Sequence, residues 1–498
     1  MGDPPTGQIG PPDRGGILRW GRVEERSNMN RPNFMLITAD DMNWDAVGAF
    51  GCPTAGTTPN IDRLAAGGLR FNHGHVTIAV CQPSRSALMT GRYPHLSGGE
   101  GFYHLRHEEV PILPDILRGE GYDVGILGKV THSTPYAAFQ WDMAYDQIDL
   151  GQGRNPDAYY QHTKNFVQSA VDGDHPFFLM ANSHDPHRPF YGNDKPEWYS
   201  ELDPPAVPPS RTFDPEEVVI PEFLPDIPEV RLEIAEYYNS VRRCDDTVGR
   251  LLDVLDEAGV AENTLVMFLS DNGMAFPFAK TNCYLNSTRT PFLARWPAVI
   301  QAGRVDTEHF ISGVDYLPTV LDAIGVDIPD GVNGKSRLPV LRGEKQDGCE
   351  RVFTQFHQTS GWRNYPMRCV QNTRFGYIFN PWSDGEREFR NESQNGRSWQ
   401  AMKEAEANDP ELAARNHLFS YRVLEEFYDF ENDPNALNNL IDDPNYADEI
   451  QALRNALEEW MVETNDPALK AFRDRASRQA LDDLMDHLAD TIGKRANE

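Results

Sequence analysis

The sequence predicts an α/β protein with a large, mixed and mostly parallel β-sheet that lies between helices. The first observation behind this prediction is a set of four short, continuous apolar runs, which are typical of strands buried on both faces. The runs span residues 34–39, 124–127, 177–181 and 265–269. The second observation is that amphipathic segments separate the runs along the chain, an alternation that favours parallel strands.

The clearest amphipathic segment spans residues 234–255. Its apolar residues fall at three- or four-residue steps and form one stripe, which is followed by Gly259, a residue type that commonly ends a helix. The segments 60–69 and 315–324 have the same character. The stretch 189–230 is instead rich in proline and acidic residues, and we expect a long surface excursion there, of the kind that often forms a functional lid.

The pattern changes near residue 350, which predicts a second and smaller unit. Short alternating segments at 374–379 and 426–430 indicate an antiparallel sheet, and a polar helical stretch (399–416) and a long helix (446–463) accompany it. A chain of 498 residues also exceeds one ordinary core. We therefore predict three parts: a polar N-terminal extension (1–31), a main domain (32–350) and a C-terminal α+β domain (351–498).

The chain is strongly acidic, with a formal net charge of −30 at pH 7. Such a field repels nucleic acid and anionic membrane surfaces, so the composition disfavours both as partners. A small anionic substrate would need a few buried cations and a metal ion to invert the potential in one pocket.

Cysteine usage and the N-terminal segment bear on the compartment. The six cysteines contain no CxxC pair, which indicates neither a disulfide scaffold nor a zinc knuckle. The first thirty residues are polar and lack the apolar core of a signal peptide, and the run 34–39 is too short to span a bilayer. We therefore expect a cytoplasmic protein with no membrane partner.

Chemically active side chains follow all four predicted strands. Because open parallel sheets bind ligands outside the carboxyl ends of their strands, we expect these side chains to meet at one edge. In chain order they are Asp40 and Asp41, then Lys129 and His132, then His184 and His187, then Asp271 and Asn272.

The acidic members of this set predict a metal site. Asp40, Asp41, Asp271 and Asn272 all offer oxygen ligands, which suit a hard cation such as Ca²⁺, with Mg²⁺ as the second choice, whereas zinc favours histidine and cysteine. Taken singly, each pair could equally cap a helix or form a turn. Their recurrence after two separate strands favours the metal.

Residues 81–92 form the most informative segment of the chain. Cys81 is followed by Pro83, Ser84 and Arg85, and Thr90-Gly91-Arg92 closes the segment. Proline is common in the first turn of a helix, so Cys81 is expected at a helix N-terminus, where the peptide dipoles favour an anion. A buried, unreactive thiol at a helix start is the alternative for a lone cysteine.

This segment resembles the signature of type I sulfatases. The resemblance implies that a separate formylglycine-generating enzyme oxidises Cys81 to formylglycine, whose hydrate attacks sulfur and whose oxygen is a further metal ligand. It also implies an alkaline-phosphatase-like fold, a smaller C-terminal domain and a homodimer. Two rivals remain open: a phosphonate or phosphate ester hydrolase or broad arylsulfatase of the same superfamily, and an inactive binding protein.

The resemblance also assigns roles to the strand-end residues. Arg85 would hold the hydrated aldehyde or the metal-bound carboxylates, and Lys129 belongs to a Gly-Lys-x-His-like element, here with two intervening residues before the histidine. His132 would be the base that regenerates the aldehyde, His187 the acid that protonates the leaving group, and Lys280 the second lysine on the sulfate. His184 and Arg368 are weaker substrate-binding candidates.

Within the sulfatases, the chain is most similar to the N-sulfoglucosamine sulfohydrolases, or sulfamidases. The segments that carry this similarity are 184–188, 270–277, 281–282, 365–368 and 464–467. Lys280 departs from the arginine expected in that group, and residues 356–364 differ in their polar side chains. We therefore expect a sulfatase that hydrolyses a sulfate ester or sulfamate of a sulfated (amino) sugar, with the N–S or O–S bond left open.

Overall fold

The computed structural model describes residues 31–105, 109–193 and 207–497, so nearly all of the predicted extension (1–31) lies outside the described residues. A large sheet of eight strands organises the first two thirds of this part of the chain. Its strands are β1 (Asn33–Ala39), β2 (Leu69–His75), β3 (Asp123–Leu127), β4 (Met143–Tyr145), β5 (Phe177–Asn182), β6 (Thr264–Ser270), β7 (Phe292–Arg295) and β8 (Arg304–Ser312).

The strand order of this sheet is β4-β3-β5-β1-β6-β7-β2-β8. Within it, β7 runs antiparallel to both neighbours and the other pairings are parallel. The four predicted apolar runs form β1, β3, β5 and β6, which are neighbours in the order β3-β5-β1-β6. The predicted mixed, mostly parallel sheet is therefore confirmed, and its four central strands end at one edge.

Helices cover both faces of the sheet. In chain order they are α1 (Pro59–Ala66), α2 (Cys81–Thr90), α3 (Pro94–Ser97), α4 (Leu113–Gly119), α5 (Val130–Ser133), α6 (Pro156–Asp172), α7 (Pro228–Glu257), α8 (Leu285–Thr288), α9 (Tyr316–Ile324) and α10 (Leu338–Leu341). The three predicted amphipathic segments correspond to α1, α7 and α9.

Strand β1 shows how the sheet divides the core. Met35 and Ile37 belong to one hydrophobic cluster, whereas Phe34 and Leu36 belong to another, because successive side chains of a strand point to opposite faces. All four residues are fully buried. A strand covered on both sides needs a continuous apolar run, which is the pattern that the sequence shows here.

The C-terminal part contains a second, antiparallel sheet in the order β12-β11-β10-β9. Its strands are β9 (Arg351–Gln358), β10 (Asn364–Asn372), β11 (Phe375–Phe379) and β12 (Glu425–Asp429), and its helices are α11 (Arg397–Ala405), α12 (Pro410–Tyr421), α13 (Ala447–Glu463), α14 (Leu469–Arg473) and α15 (Arg478–Asn497). The polar stretch 399–416, predicted as one helical stretch, contains two helices because Asp409 caps a new helix that Pro410 begins.

The two sheets share a hydrophobic core. Phe356 and Met367 of the smaller sheet belong to the same buried cluster as Met35 of β1, and Ile78 pairs with Gln355 in an isolated β-bridge. The predicted boundary between residues 350 and 351 stays a prediction, since packing is continuous across it.

The proline-rich stretch 189–230 packs against the main core wherever it is described. Phe190, Phe213 and Phe223 are buried members of the larger cluster, and residues 194–206 lie outside the described residues. The predicted lid stays a prediction. Among the described helices, none combines the length and the apolar character needed to cross a bilayer.

Arg368 of β10 is held by Asp466 in the loop after α13. Its Nη2 donates to Asp466 Oδ1 at 3.0 Å, its Nε donates to the other carboxylate oxygen, and its Nη1 donates to the Met367 carbonyl. Both ionic side chains are fully buried. The predicted contact between Arg368 and substrate is therefore not supported, because the guanidinium is committed to linking the second sheet to the C-terminal helices.

This buried pair yields a stability prediction. Arg368→Met leaves the Asp466 carboxylate buried without its partner, which typically costs about 3–5 kcal/mol. We expect a loss of that size in the free energy of unfolding, measured by urea denaturation. The control is Lys470→Met, which removes an ion pair whose members are 75% and 50% exposed, and it should change stability by less than about 1 kcal/mol. Unchanged stability together with a raised KM in Arg368→Met would restore the substrate-binding assignment.

Candidate active site

Helix α2 begins at Cys81 and is buried along its whole length. Cys81 itself is 3% exposed, with Pro83 in the first turn, as predicted. Its Sγ lies 3.4 Å from Asp40 Oδ1. Burial, reinforced by the charge of Asp40, raises the pKa of the Cys81 thiol well above its usual value. The unmodified thiol is therefore protonated at neutral pH and is a poor nucleophile.

Arg85, one turn further along α2, connects the helix to three strands of the sheet. Its Nη1 donates to Thr38 Oγ1 on β1 and to Asn182 Oδ1 on β5, each at 2.7 Å. Its Nε and Nη2 bind Asp271 Oδ2 after β6 at 2.9 and 2.7 Å. The guanidinium is fully buried, so Arg85 fixes the position of α2 and stabilises the charge of Asp271.

Asp40, Asp41 and Asp271 form a compact group of buried carboxylates where β1 and β6 end. Each offers a carboxylate oxygen within 4.8 Å of the others, and all three side chains are fully buried. Burial raises the pKa of Asp41 and of Asp271 to about 7. Burial also opposes ionisation of Asp40, but nearby positive charges, foremost Lys129, hold its pKa well below its usual value.

Asn272 completes the set of oxygen donors. Its Nδ2 donates to Asp41 Oδ1 at 2.7 Å, whereas its Oδ1 is buried without a hydrogen-bond partner. An orphaned buried carbonyl oxygen next to three crowded carboxylates is unfavourable unless a cation binds both. The four side chains therefore fit a hard divalent cation, as the sequence predicted.

Softer donors lie beside this group. Cys81, His187 and Asp40 also have potential ligand atoms within 4.8 Å of one another, as do Asp41, His187 and Glu392. The identity of the ion as Ca²⁺ stays a prediction, since an unmodified Cys81 would add a ligand that zinc prefers.

Lys129 reaches the carboxylates from the end of β3. Gly128 and Lys129 both have positive φ, 68° and 50°, which turns the chain sharply so that Lys129 Nζ forms a close ion pair with Asp40 Oδ2. His184 Nε2 accepts a hydrogen bond of 3.1 Å from the backbone N–H of Lys129. This contact gives His184 a positioning role, and its predicted contact with substrate stays a prediction.

His132 lies on α5, one turn after Lys129. Its ring packs edge-on against Phe102, with 5.6 Å between centroids. Burial, followed by the charge of Lys129, lowers the pKa of His132 to about 3. A neutral imidazole at working pH can accept a proton, which suits the predicted role as a base.

His187 lies beside the carboxylate group, near Asp40, Asp41 and Glu392. Its Nδ1 contacts the Arg188 carbonyl at 2.7 Å and therefore carries the proton of the neutral ring, while Nε2 is 3.9 Å from both Asp41 Oδ2 and Glu392 Oε1. Burial lowers the pKa of His187 to about 4. To act as an acid the ring needs a second proton on Nε2, which the two carboxylates favour.

The segment that carries His184 and His187 is held by Asp185. This buried carboxylate accepts hydrogen bonds from Arg243 of α7 at 2.6 and 2.9 Å and from Arg154 at 3.2 Å. Its backbone carbonyl also accepts from the N–H of Asp40 at 3.1 Å. The two arginines therefore fix the histidines relative to the carboxylates.

Lys280 joins the metal group to a carboxylate that the sequence analysis missed. Its Nζ is 2.7 Å from Asp41 Oδ1 and 2.8 Å from Glu392 Oε1. Burial raises the pKa of Glu392, but the positive charge of Lys280 outweighs this effect and lowers the pKa to about 2. Glu392 follows no strand, so the strand-end pattern could not reveal it. An Asn391–Gln394 capping box is the only local signal, and it indicates a turn without locating it.

The charges of the site are nearly balanced. Four carboxylates (Asp40, Asp41, Asp271 and Glu392) accompany three cationic side chains (Arg85, Lys129 and Lys280). With all four carboxylates ionised, a bound divalent cation would change the local balance from one net negative charge to one net positive charge. The pocket could then hold an anion even though the protein as a whole repels anions.

Comparison with known proteins identifies the class. The family model described as "Sulfatase" matches residues 32–326, and the model "N-sulphoglucosamine sulphohydrolase, C-terminal" matches residues 275–382. The chain therefore belongs to the sulfatase family and is a sulfohydrolase.

Individual relatives show which sulfatases the chain is similar to. The chain is 31% identical to the human N-sulphoglucosamine sulphohydrolase over 466 residues, covering 87% of this chain and 91% of that protein. It is 25% identical to an ulvan-active sulfatase of Formosa agariphila, covering 71% and 74% of the two chains. A solved structure in complex with its substrate D-glucosamine-2-N,6-O-disulfate superposes with a TM-score of 0.65 at 19% identity, covering 88% and 98%. The predicted alkaline-phosphatase-like fold is thus confirmed.

The carboxylate group predicts stabilisation by Ca²⁺. Ca²⁺ at 100 times its Kd should raise the free energy of unfolding by about 2.7 kcal/mol relative to EDTA-treated protein, measured by thermal unfolding. Asn272→Ala removes the orphaned oxygen and should weaken Ca²⁺ binding at least tenfold. The control Asn445→Ala, at an exposed turn, should retain the full Ca²⁺ response.

An identical Ca²⁺ response in Asn272→Ala and the unsubstituted protein would exclude this amide as a ligand. A response to Zn²⁺ but not to Ca²⁺, in protein with an unmodified Cys81, would instead favour the group formed by Asp40, Cys81 and His187.

Proposed function

We propose that this sulfatase hydrolyses the N-sulfate of a glucosamine residue, using formylglycine formed from Cys81 and a divalent cation, Ca²⁺. The observation that carries the proposal is the position of Cys81 at the buried start of α2, 3.4 Å from Asp40. The same site contains a carboxylate group, three cationic side chains and two neutral histidines, which are the groups needed to bind and cleave a sulfate. The raised pKa of the unmodified Cys81 thiol supports a modified nucleophile, because a protonated thiol is a poor one.

The residues of the site would have separate roles in the reaction. Formylglycine, once formed, supplies a hydrated aldehyde as the nucleophile toward sulfur. Asp40, Asp41, Asp271 and Asn272 would hold the cation. Lys129 and Lys280 lie beside Asp40 and Asp41, so their ammonium groups would neutralise the oxygens of a sulfate bound next to the cation.

Proton transfer would use the two neutral histidines, His187 and His132. His187, with Nδ1 fixed by the Arg188 carbonyl, would present Nε2 to the leaving group as an acid. His132, neutral beside Lys129, would accept a proton when the aldehyde is regenerated.

The substrate assignment rests on similarity to the human N-sulphoglucosamine sulphohydrolase, which extends over 87% of the chain. The second family model, which covers Lys280, Arg368 and the second sheet as far as residue 382, supports the same group. The presence of Lys280 in place of the expected arginine keeps a cation at this position. A formylglycine-generating enzyme is the required maturation partner, and a homodimer is the expected assembly.

The nucleophile is tested by mass spectrometry of the peptide that contains Cys81. Protein co-expressed with a formylglycine-generating enzyme should carry an aldehyde at position 81 and release sulfate, whereas Cys81→Ala should lose activity by at least 10³-fold. Cys349→Ala, at a buried cysteine two residues before β9, serves as the matched control and should retain activity. Active protein with an unmodified thiol would refute the mechanism.

The substrate bond is tested with matched sugars. We expect N-sulfoglucosamine to be hydrolysed with a kcat/KM at least 100-fold higher than glucosamine 6-O-sulfate, with released sulfate measured by ion chromatography. Aryl sulfate, phosphate and phosphonate monoesters complete the panel. Preference for the 6-O-sulfate would transfer the assignment to an ester sulfatase, and preference for a phosphonate would remove it from the sulfatases' usual chemistry.

A further inference from the structure

Glu392 enters the site from the C-terminal part of the chain. It begins a short 3₁₀ turn, Glu392–Asn395, which Asn391 and Gln394 stabilise through a reciprocal capping box. Asn391 Nδ2 also donates to Thr281 Oγ1 at 2.6 Å. Since Thr281 directly follows Lys280, this bond fixes the turn relative to the lysine.

The carboxylate of Glu392 lies between two groups of the proposed reaction. Its Oε1 is 2.8 Å from Lys280 Nζ and 3.9 Å from His187 Nε2. Its side chain is 19% exposed, whereas that of Lys280 is 1% exposed. Glu392 therefore lies on the solvent side of the lysine, from which a substrate enters.

A fixed negative charge at this place is unexpected for a site that binds an anion. Glu392 weakens the positive field of Lys280, and it would repel a sulfate oxygen that approached it. Lys280 already donates to Glu392 Oε1, and because a carboxylate only accepts hydrogen bonds, any substrate group that contacts it directly must be a second donor.

The atom that bridges the sugar and sulfur differs between the two candidate bonds. In a sulfamate this atom is nitrogen and carries one hydrogen, whereas in a sulfate ester it is oxygen and carries none. An atom about 3 Å from Glu392 Oε1 can also be about 3 Å from His187 Nε2, since these two atoms are 3.9 Å apart.

We propose that Glu392 is the specificity-determining residue that selects sulfamates over sulfate esters, by accepting a hydrogen bond from the bridging N–H. This inference rests on the proposed function and identifies the bridging N–H as the feature of the substrate that the site recognises. Towards an ester, the same carboxylate faces the lone pairs of the bridging oxygen and binding is disfavoured.

Glu392 neither gains nor loses a proton in this scheme. As the N–S bond breaks, its electron pair stays on nitrogen, and nitrogen takes one proton from His187 Nε2. The N–H held by Glu392 orients the nitrogen lone pair toward that donor. Overall, one water is consumed and the amine and sulfate are released.

The test compares Glu392→Gln with the unsubstituted enzyme on N-sulfoglucosamine and on glucosamine 6-O-sulfate. The amide keeps the shape of the side chain but removes its charge. A hydrogen bond to a charged group should account for about a 10- to 100-fold fall in kcat/KM on the sulfamate. The value on the ester should stay the same or rise, so that the selectivity ratio falls. Glu388→Gln, at a carboxylate that is 38% exposed and paired with Arg390 on the same segment, should leave both values unchanged.

The outcomes separate the two proposals. Equal losses on both substrates, or no loss on the sulfamate, would overturn selection by Glu392 while leaving the proposed function intact. An unsubstituted enzyme that hydrolyses the ester but not the sulfamate would overturn both. Glu392→Asp provides a second variant, because it retains the charge at a shorter reach and should recover part of the selectivity if the N–H contact is the cause.

Discussion

The concentration of buried negative charge at the carboxyl ends of β1 and β6 is the constraint on which the site depends. Asp40, Asp41 and Asp271 are too close and too deeply buried to be stable alone. The surrounding structure compensates them from several directions: Arg85 from α2, Lys129 from the end of β3, and Lys280 from the loop after β6. The elements that define the fold are thus also the elements that deliver the balancing cations.

This arrangement resolves the conflict between an acidic protein and an anionic substrate. The net charge of −30 acts over the whole surface, but at physiological salt it is screened beyond about 8 Å. Inside the buried site, screening is weak and individual charges dominate. One divalent ion is enough to reverse the sign of the pocket's net charge. The acidic surface and the anion-binding pocket can therefore coexist in different parts of the molecule.

Much of the fold and site could be predicted because the relevant rules are local. The central strands are continuous apolar runs, and Asp40, Asp41, Lys129, Asp271 and Asn272 directly follow them. The partners that orient these residues could not be predicted in the same way.

In the sequence, Thr38 and Asn182 are ordinary strand residues, and only the structure shows that both accept hydrogen bonds from Arg85. Glu392 lies in a turn more than a hundred residues after Lys280, its partner in the site. Arg368 is the converse case, since its residue type suits sulfate but its guanidinium binds the buried Asp466. The roles of these residues depend on contacts between segments that are distant in the sequence, and short sequence patterns do not predict such contacts.

The burial of α2 has a consequence for the order of events in the life of the protein. Every residue of the helix is buried, and only 3% of the surface of Cys81 is accessible. A second protein cannot bring its own active site to such a side chain without unfolding the helix and breaking the bonds of Arg85 to three strands. Any enzyme that oxidises Cys81 must therefore act on the nascent or unfolded chain, and the time available to it ends when α2 becomes buried. If the proposed formylglycine forms, slow folding would extend the period in which Cys81 can be oxidised, and rapid folding would leave it as a thiol.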